Sequence, residues 1–520
     1  MVVGQVFGWL ATAWAGAGPP LAPCATMALL PHATPLRREP IGPSLGGLQV
    51  RDAFGVPNHD TSDHFAIHWG NSGGVDPSQI DRLLEAFELA WQVQIDEMGH
   101  PAPDTTQSYY FNVYIGDTGG GTPSGYGTGG YYYTDPEGFP MVVISYASLF
   151  DPDFADHAAQ HEFYHAIQGS LARYTYDGPA AWYWEATAEW AAISTDTSNP
   201  TNGPFVFGYL LLPSLPVDFF DYPDTGALQE YFQYGAFVFP YDVTTTYGFE
   251  IVRDTWMDLG SDPDPLEVMR ARVADAGGDL DQAWLDHLAH NVVYDYDAGA
   301  LYREITEYYE PFYAEAHRIA DTVSGAGGAG TVDGGHTPHR YGAAAIELRG
   351  PATGTLEVRI DGQPTGTGGS DALYGARVVQ VAPDGSFTYT AVPFDGVHGE
   401  LDLPGVGTDA AVYLTVGAWT PQWRDNRWLD EQFPFDWSLA VVEPTTTTTT
   451  PPSTTDPTDT TPTDPTTGTD DPPASDGPSA EDPGGCACAS TTTGSAGWAW
   501  LTVAGAALSA RSSRRTHRRR

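Results

Sequence analysis

Hydrophobic and polar positions change their period twice along the chain. Between residues 60 and 200, short apolar runs alternate with helical stripes. Phe65-Ala66-Ile67-His68-Trp69 predicts a strand. Ile80, Leu83, Leu84, Phe87 and Trp91 then recur at helical spacing behind Asp76-Pro77-Ser78-Gln79, which supplies an N-cap, a proline at the first helical position and a glutamine at the third. Gly99 is expected to close that helix. Residues 109–115 and 141–146 carry the β-branched and aromatic side chains of strands. The glycine-rich stretch 119–130 between them reads as a connector, since it lacks the Lys and Ser/Thr of a phosphate loop. From 204 to 322 the pattern is mostly helical: Asp264-Pro265 opens a helix bearing Leu266, Met269 and Val273, and a later one bears Leu280, Trp284 and Leu288. From 335 to 443 the period shortens again. Apolar runs at 355–360, 377–381, 412–416 and 437–442, separated by Gly, Pro and Asp, predict a β-sandwich.

Composition narrows the classes of function. Of 520 residues, 67 are Asp or Glu and 22 are basic, none of them Lys, giving a net charge of −45. Nucleic acid is excluded as a partner, because phosphate contacts need clustered positive charge. With 41% hydrophobic and 12% aromatic residues the chain can bury a sizeable core, and its length suggests several domains. The three cysteines, Cys24, Cys486 and Cys488, all fall in terminal segments that read as processing signals rather than fold, so no disulfide framework is expected.

The termini predict export and anchoring. Residues 1–17 hold an apolar run ending in Ala15-Gly16-Ala17, the form of a signal peptide, although no Lys or Arg precedes the run. Residues 18–59 read as a pro-segment or linker. Residues 444–484 are almost wholly Thr, Pro, Asp, Ser and Gly, a composition that buries no apolar area and predicts a disordered stalk. Segment 485–520 contains Cys486-Ala487-Cys488, an apolar stretch at 496–510, and Arg511, Arg514, Arg515, Arg518, Arg519 and Arg520. This polarity suits a transmembrane helix with its Arg end in the cytoplasm. Stalk, Gly-Cys-x-Cys, apolar stretch and Arg cluster resemble the myxobacterial C-terminal sorting domain (MYXO-CTERM). The resemblance implies a C-terminal sorting and processing protease as a partner, lipid attachment at the cysteine, and a protein that is secreted or anchored at the cell surface or outer membrane.

The sharpest chemical signal is His161-Glu162-Phe163-Tyr164-His165, behind Asp151-Pro152-Asp153, which can cap a helix starting near residue 153. On such a helix His161 and His165 lie one turn apart on one face, where both imidazoles reach a single tetrahedral metal. Glu162 stands beside them as a general base for a metal-activated water. A second predicted helix, Trp182-Tyr183-Trp184-Glu185-Ala186-Thr187-Ala188-Glu189-Trp190, puts Glu185 and Glu189 on one face.

With Glu185 twenty positions after His165, the arrangement resembles the gluzincin zinc metallopeptidases with a thermolysin-like site. That resemblance implies Zn2+ held by His161, His165 and Glu185, a fourth position for water, and Glu189 supporting His161 from behind. Glu189 stands where thermolysin-like enzymes have Asp, so an exchange of roles between Glu185 and Glu189 stays open. A metzincin pattern fails at Gln168 and Leu171, where that family needs Gly and His. The wider motifs HEFxHAxQ and WxxEATAxW are similar to those of secreted bacterial metalloproteases, over about residues 60–300. The fold so implied is an α+β zincin catalytic domain, with an N-terminal subdomain at 60–203 and a helical C-terminal subdomain at 204–330, followed by the all-β sandwich at 335–443 and the stalk.

In such peptidases a Tyr or His from the C-terminal subdomain commonly stabilises the oxyanion. The candidates are Tyr231, Tyr234 and Tyr241, with Tyr234 the best placed, and a packing role is the competing reading for each. His157 shares the spacing of His161 and His165 but lies a turn earlier, so a helix-surface or capping role is expected. The acids at 262–264 and 151–156 are candidate Ca2+ ligands, though no EF-hand pattern is present. The expected function is a zinc-dependent metalloendopeptidase acting on peptide or protein substrates. The alternative is a catalytically inactive surface adhesion or binding protein on the same scaffold. An aminopeptidase would need a Gly-x-Met-Glu-Asn run, and a serine hydrolase a Gly-x-Ser-x-Gly motif; neither occurs.

Overall fold

The alternating runs between residues 58 and 145 fold as one mixed sheet. The computed structural model describes residues 24–29, 36, 47–176, 178–201, 203–221, 227–350, 354–364, 371–406, 411–421 and 431–442. The first sheet comprises β1 (Asn58–Thr61), β2 (Phe65–Trp69), β3 (Phe111–Gly116), β4 (Gly130–Thr134) and β5 (Pro140–Ser145), in the order β1-β2-β3-β5-β4. β2, β3 and β5 are parallel, while β1 and β4 run antiparallel at the two edges. β3 and β5 are buried along their whole length, which is why they read as nearly unbroken apolar runs.

Helices α1 (Pro77–Ala90) and α2 (Pro152–Leu171) belong to the same core as this sheet. α1 starts at a complete capping box: the Ser78 amide donates to the Asp76 side chain, and the Gln79 side chain accepts from the Asp76 amide. The helix continues through Trp91–Glu97 until Gly99, at φ +79°, turns the chain away. Phe163 of α2, inside the His-Glu-Phe-Tyr-His run, packs its ring against Phe65, Phe111 and Trp91 at centroid distances of 5.1, 5.5 and 5.9 Å. The helix that carries both histidines is thereby clamped to the sheet.

α3 (Ala181–Thr195) follows, and a run of helices extends to Tyr309, among them α4 (Pro265–Asp275), capped by Asp264, and α5 (Leu280–Val293), capped by Asp279. The strands after it are β6 (Asp321–Ser324), β7 (Gly327–Val332), β8 (Gly342–Arg349), β9 (Gly354–Gly362), β10 (Leu373–Val381), β11 (Phe387–Val392), β12 (Phe394–Asp395), β13 (His398–Val406), β14 (Ala411–Trp419) and β15 (Phe435–Val442). They form two five-stranded sheets, β11-β10-β14-β8-β6 and β12-β13-β9-β15-β7. One core, including Ile346, Val358, Val378, Leu414 and Leu439, draws on both sheets.

The structure departs from the sequence reading in four places. β1 begins inside the stretch expected to be linker, at Asn58. β4, built from Gly130-Tyr131-Tyr132-Tyr133-Thr134, occupies the end of the expected connector and is an edge strand. β6 and β7 fall in the expected helical region, hidden by the glycines of residues 325–330. At Gly330 the cause is steric: a Cβ there would come within 3.0–3.2 Å of the Trp437 ring, a tight contact that glycine avoids. Finally, Cys24 is buried in the first core rather than lying apart from the fold. The signal peptide, the stalk and the anchor segment with its Cys486 and Cys488 lie outside the described residues. Among the described residues no helix is long and apolar enough to cross a membrane.

Arg340, fully buried just before β8, ties these sheets to the helices. Its guanidinium lies 3.4 Å from each of Asp218, Asp264 and Glu267, and its Nε donates to the Thr420 carbonyl at 3.3 Å. Burial pushes Asp264 up to about 6, with Arg340 opposing it. A carboxyl raised above its unfolded value opposes folding once ionised, so this group's contribution declines as pH rises from about 4 through 6. Arg340→Ala is expected to cost about 3–5 kcal/mol in urea denaturation at pH 8, because it strands buried acids. The loss should be smaller at pH 5, where Asp264 can take up a proton. A loss equal at both pH values would contradict this account.

Candidate metal centre

α2 and α3 bring the predicted ligands together. Asp151 accepts the Phe154 amide and fixes the start of α2, so the two histidines emerge on one face with ring centroids 4.7 Å apart. Glu185 on α3 places Oε2 3.2 Å from His161 Nε2 and 3.4 Å from His165 Nε2. All three side chains are buried.

Glu189 lies one turn further along α3. Its Oε1 is 3.4 Å from His161 Nδ1, and its Oε2 is 3.0 Å from His157 Nε2. Glu185 Oε2 faces the Nε2 atoms of both His161 and His165, whereas of these two histidines Glu189 faces only His161, at Nδ1. His157 is not on the helix surface, as expected from its spacing, but buried against Glu189. It gives a second buried carboxylate an imidazole partner 3.0 Å away.

His165 is oriented by a residue whose role the sequence reading did not assign. Gln168 accepts from His165 Nδ1 through its Oε1 at 2.6 Å, and its amide nitrogen donates to the Trp184 carbonyl at 3.0 Å and to Thr187 Oγ1 at 2.9 Å. Thr187 Oγ1 in turn donates to the Tyr183 carbonyl at 2.5 Å, so toward Gln168 it can only accept. This chain fixes which way the amide faces, makes His165 Nδ1 the donor to it, and turns Nε2 toward Glu185. It also gives HAxQ and EAT a shared physical purpose.

Charge in the pocket is strongly coupled. Burial alone would lower His161, but Glu185, Glu189 and Glu162 raise it to about 10. Burial alone would raise Glu189, but His157 and His161 hold it at about 2. Glu185 is also held down, by His165 and His161 against the effect of burial, while burial raises Glu162. Carboxylates crowded round imidazoles in a dry site are an environment for a dication.

The donor set fits zinc. Donors at about 2.0–2.3 Å from a tetrahedral ion are roughly 3.3–3.7 Å from one another. The two Glu185 separations bracket the lower end of that range, and Cys24 Sγ lies 3.5 Å from His165 Nε2. Cys24, His161, His165 and Glu185 each offer one donor atom within 4.8 Å of all the others. His157, His161 and Glu189 form an overlapping group. Glu185 Oε1 is buried without a hydrogen bond. Nitrogen and sulfur donors favour zinc over calcium. The acids considered for Ca2+ are otherwise engaged: Asp153 and Asp156 with Arg82, Asp151 and Asp264 as caps, and Asp262 with the Asp264 amide.

Comparison with known proteins adds a family and little more. A model described as "Family of unknown function (DUF6055)" matches residues 50–446. The chain belongs to DUF6055. No curated protein matches it. Among solved structures, the pre-peptidase C-terminal domain of a collagenase from Bacillus anthracis is similar over 23% of this chain and 92% of its own, at 9% identity and a TM-score of 0.15, a likeness too slight to bear on fold or function. The histidines and glutamates of the centre lie inside the DUF6055 match, whereas Cys24 precedes it.

Tyr234 reaches this centre of the DUF6055 chain: it is buried, its ring lies 6.2 Å from that of His161, and its hydroxyl donates to the Cys24 carbonyl at 3.3 Å. The other two candidates are used elsewhere. Tyr231 packs with Phe205 and Phe207, and Tyr241 lies beside Asp297. Gly130 of β4 is close to Glu162: an added Cβ would stand 2.8 Å from the Val143 carbonyl and 3.0 Å from Glu162 Cγ, so glycine eases the close packing there.

Gln168→Ala is expected to weaken zinc binding about 10–100-fold in competition with a chelator, since His165 loses the acceptor that fixes its tautomer. A change below about twofold would show that Gln168 does not orient the ligand.

Proposed function

We propose that this DUF6055 chain is a zinc-dependent metalloendopeptidase of gluzincin type, with His161, His165 and Glu185 holding the ion. The observation that carries the reading is Glu185 Oε2 lying 3.2 and 3.4 Å from the Nε2 atoms of two histidines one helical turn apart, with Glu162 directly following the first. When bound, the ion supplies Lewis acidity, polarising a carbonyl and acidifying water. Glu162 has the position and the raised affinity for protons to take one from water at its carboxylate and return it to a leaving amine. Tyr234 is the hydroxyl donor that can face the developing oxyanion. Glu189, backed by His157, keeps His161 in place, and Gln168 does the same for His165. β4, an edge strand beside Glu162, is a strand to which an extended peptide can add. The sequence patterns of a signal peptide, a stalk and a sorting segment support a place at the cell surface or in the medium.

An inactive binding protein is the second reading. Cys24 favours it, because a fourth protein ligand is the mark of a structural ion rather than a catalytic one.

Elemental analysis is expected to find one zinc per chain, displaced by chelators. Glu162→Gln should retain that zinc and lower peptide hydrolysis about 10²–10⁴-fold. Retained zinc with unchanged hydrolysis would remove Glu162 as the base, and a chain without stoichiometric metal would remove the peptidase reading.

A further inference from the structure

Residues 24–29 precede the stretch matched by the family model, yet Cys24, Ala25 and Thr26 are buried at the heart of the centre. Cys24 Sγ accepts the Thr26 amide at 3.4 Å and completes a four-donor group with His161, His165 and Glu185. The next residues occupy the other groups that a substrate needs. Thr26 Oγ1 donates to Glu162 Oε2 at 3.0 Å and accepts the Tyr132 amide at 2.8 Å. The Ala25 amide donates to the Gly130 carbonyl at 3.1 Å, and Cys24 bridges Gly130 in parallel register along the open side of β4. Tyr234 donates to the Cys24 carbonyl. One short segment thus engages the ligand cluster, the base, the edge strand and the tyrosine together. A peptide adding to β4 would need the same backbone groups, so segment and substrate exclude one another.

We infer, on the metal-centre reading above, that Cys24 is the fourth ligand of the ion and that residues 24–29 hold the peptidase latent until they withdraw. The thiol loses its proton to solvent as the sulfur–metal bond forms. Withdrawal breaks that one bond and the hydrogen bonds to Glu162, Gly130 and Tyr234 in a single movement. A ligand serving only a structural ion would have no reason to be followed by a hydroxyl held on the general base.

The test uses the full chain loaded with Co2+. The wild type should bind one cobalt and show a thiolate-to-metal charge-transfer band in the near ultraviolet. Cys24→Ser should bind one cobalt without the band, although Cys486 and Cys488 remain. It should also hydrolyse a mixed quenched-peptide library about tenfold faster or more, because the active fraction is the fraction with the segment withdrawn. Zinc-edge X-ray absorption on the unmutated chain needs no substitution at this buried position and should show one sulfur at about 2.3 Å. Metal bound without a charge-transfer band or a sulfur neighbour overturns the proposal and leaves the metal centre standing. Failure of both chains to bind metal overturns the two together. A band in the wild type with no gain in rate for Cys24→Ser overturns latency.

Discussion

Glu185 sets a buried carboxylate against the Nε2 atoms of two buried histidines, and much of the surrounding structure answers that one demand. A buried charge of this kind costs several kcal/mol unless it is paired and its partners are held still. Phe163 therefore fastens α2 to the sheet, Gln168 and Thr187 lock His165 to α3, and Glu189 with His157 braces His161. The two helices share side-chain and backbone partners as well as a ligand set. Displacing either would break the centre at several points at once.

The edge strand connects this centre to the outside. Gly130 of β4 lies next to Glu162, and residues 24–26 pair along the outer side of that strand. An unpaired edge is a liability that proteins cover or use. Here the covering segment sets Cys24 Sγ beside His165 and Thr26 Oγ1 on Glu162, so the cover of the edge and the ligand cluster share one stretch of chain.

Much of the centre was legible in the chain because helical spacing is so regular. His161 and His165 at i and i+4, and Glu185 and Glu189 at i and i+4, needed only the helix to be right. The helix starts at Asp76, Asp151 and Asp264 were equally readable, since these residues cap through local bonds. What stayed hidden depends on contacts between distant residues. Gln168 faces His165 only because Trp184 and Thr187 hold its amide. Cys24 sits 141 positions from His165 in a segment whose composition suggests processing. β7 was masked by its glycines, of which Gly330 lies against the Trp437 ring, and β4 by the glycine-rich stretch before it, although Tyr131-Tyr132-Tyr133 was a usable strand signal.

The most direct test of the central claim is anomalous scattering at the zinc edge from crystals of the metal-loaded full chain. The account requires one strong peak among His161 Nε2, His165 Nε2, Glu185 and Cys24 Sγ. A peak among His157, His161 and Glu189 instead, or none at either position, would contradict it.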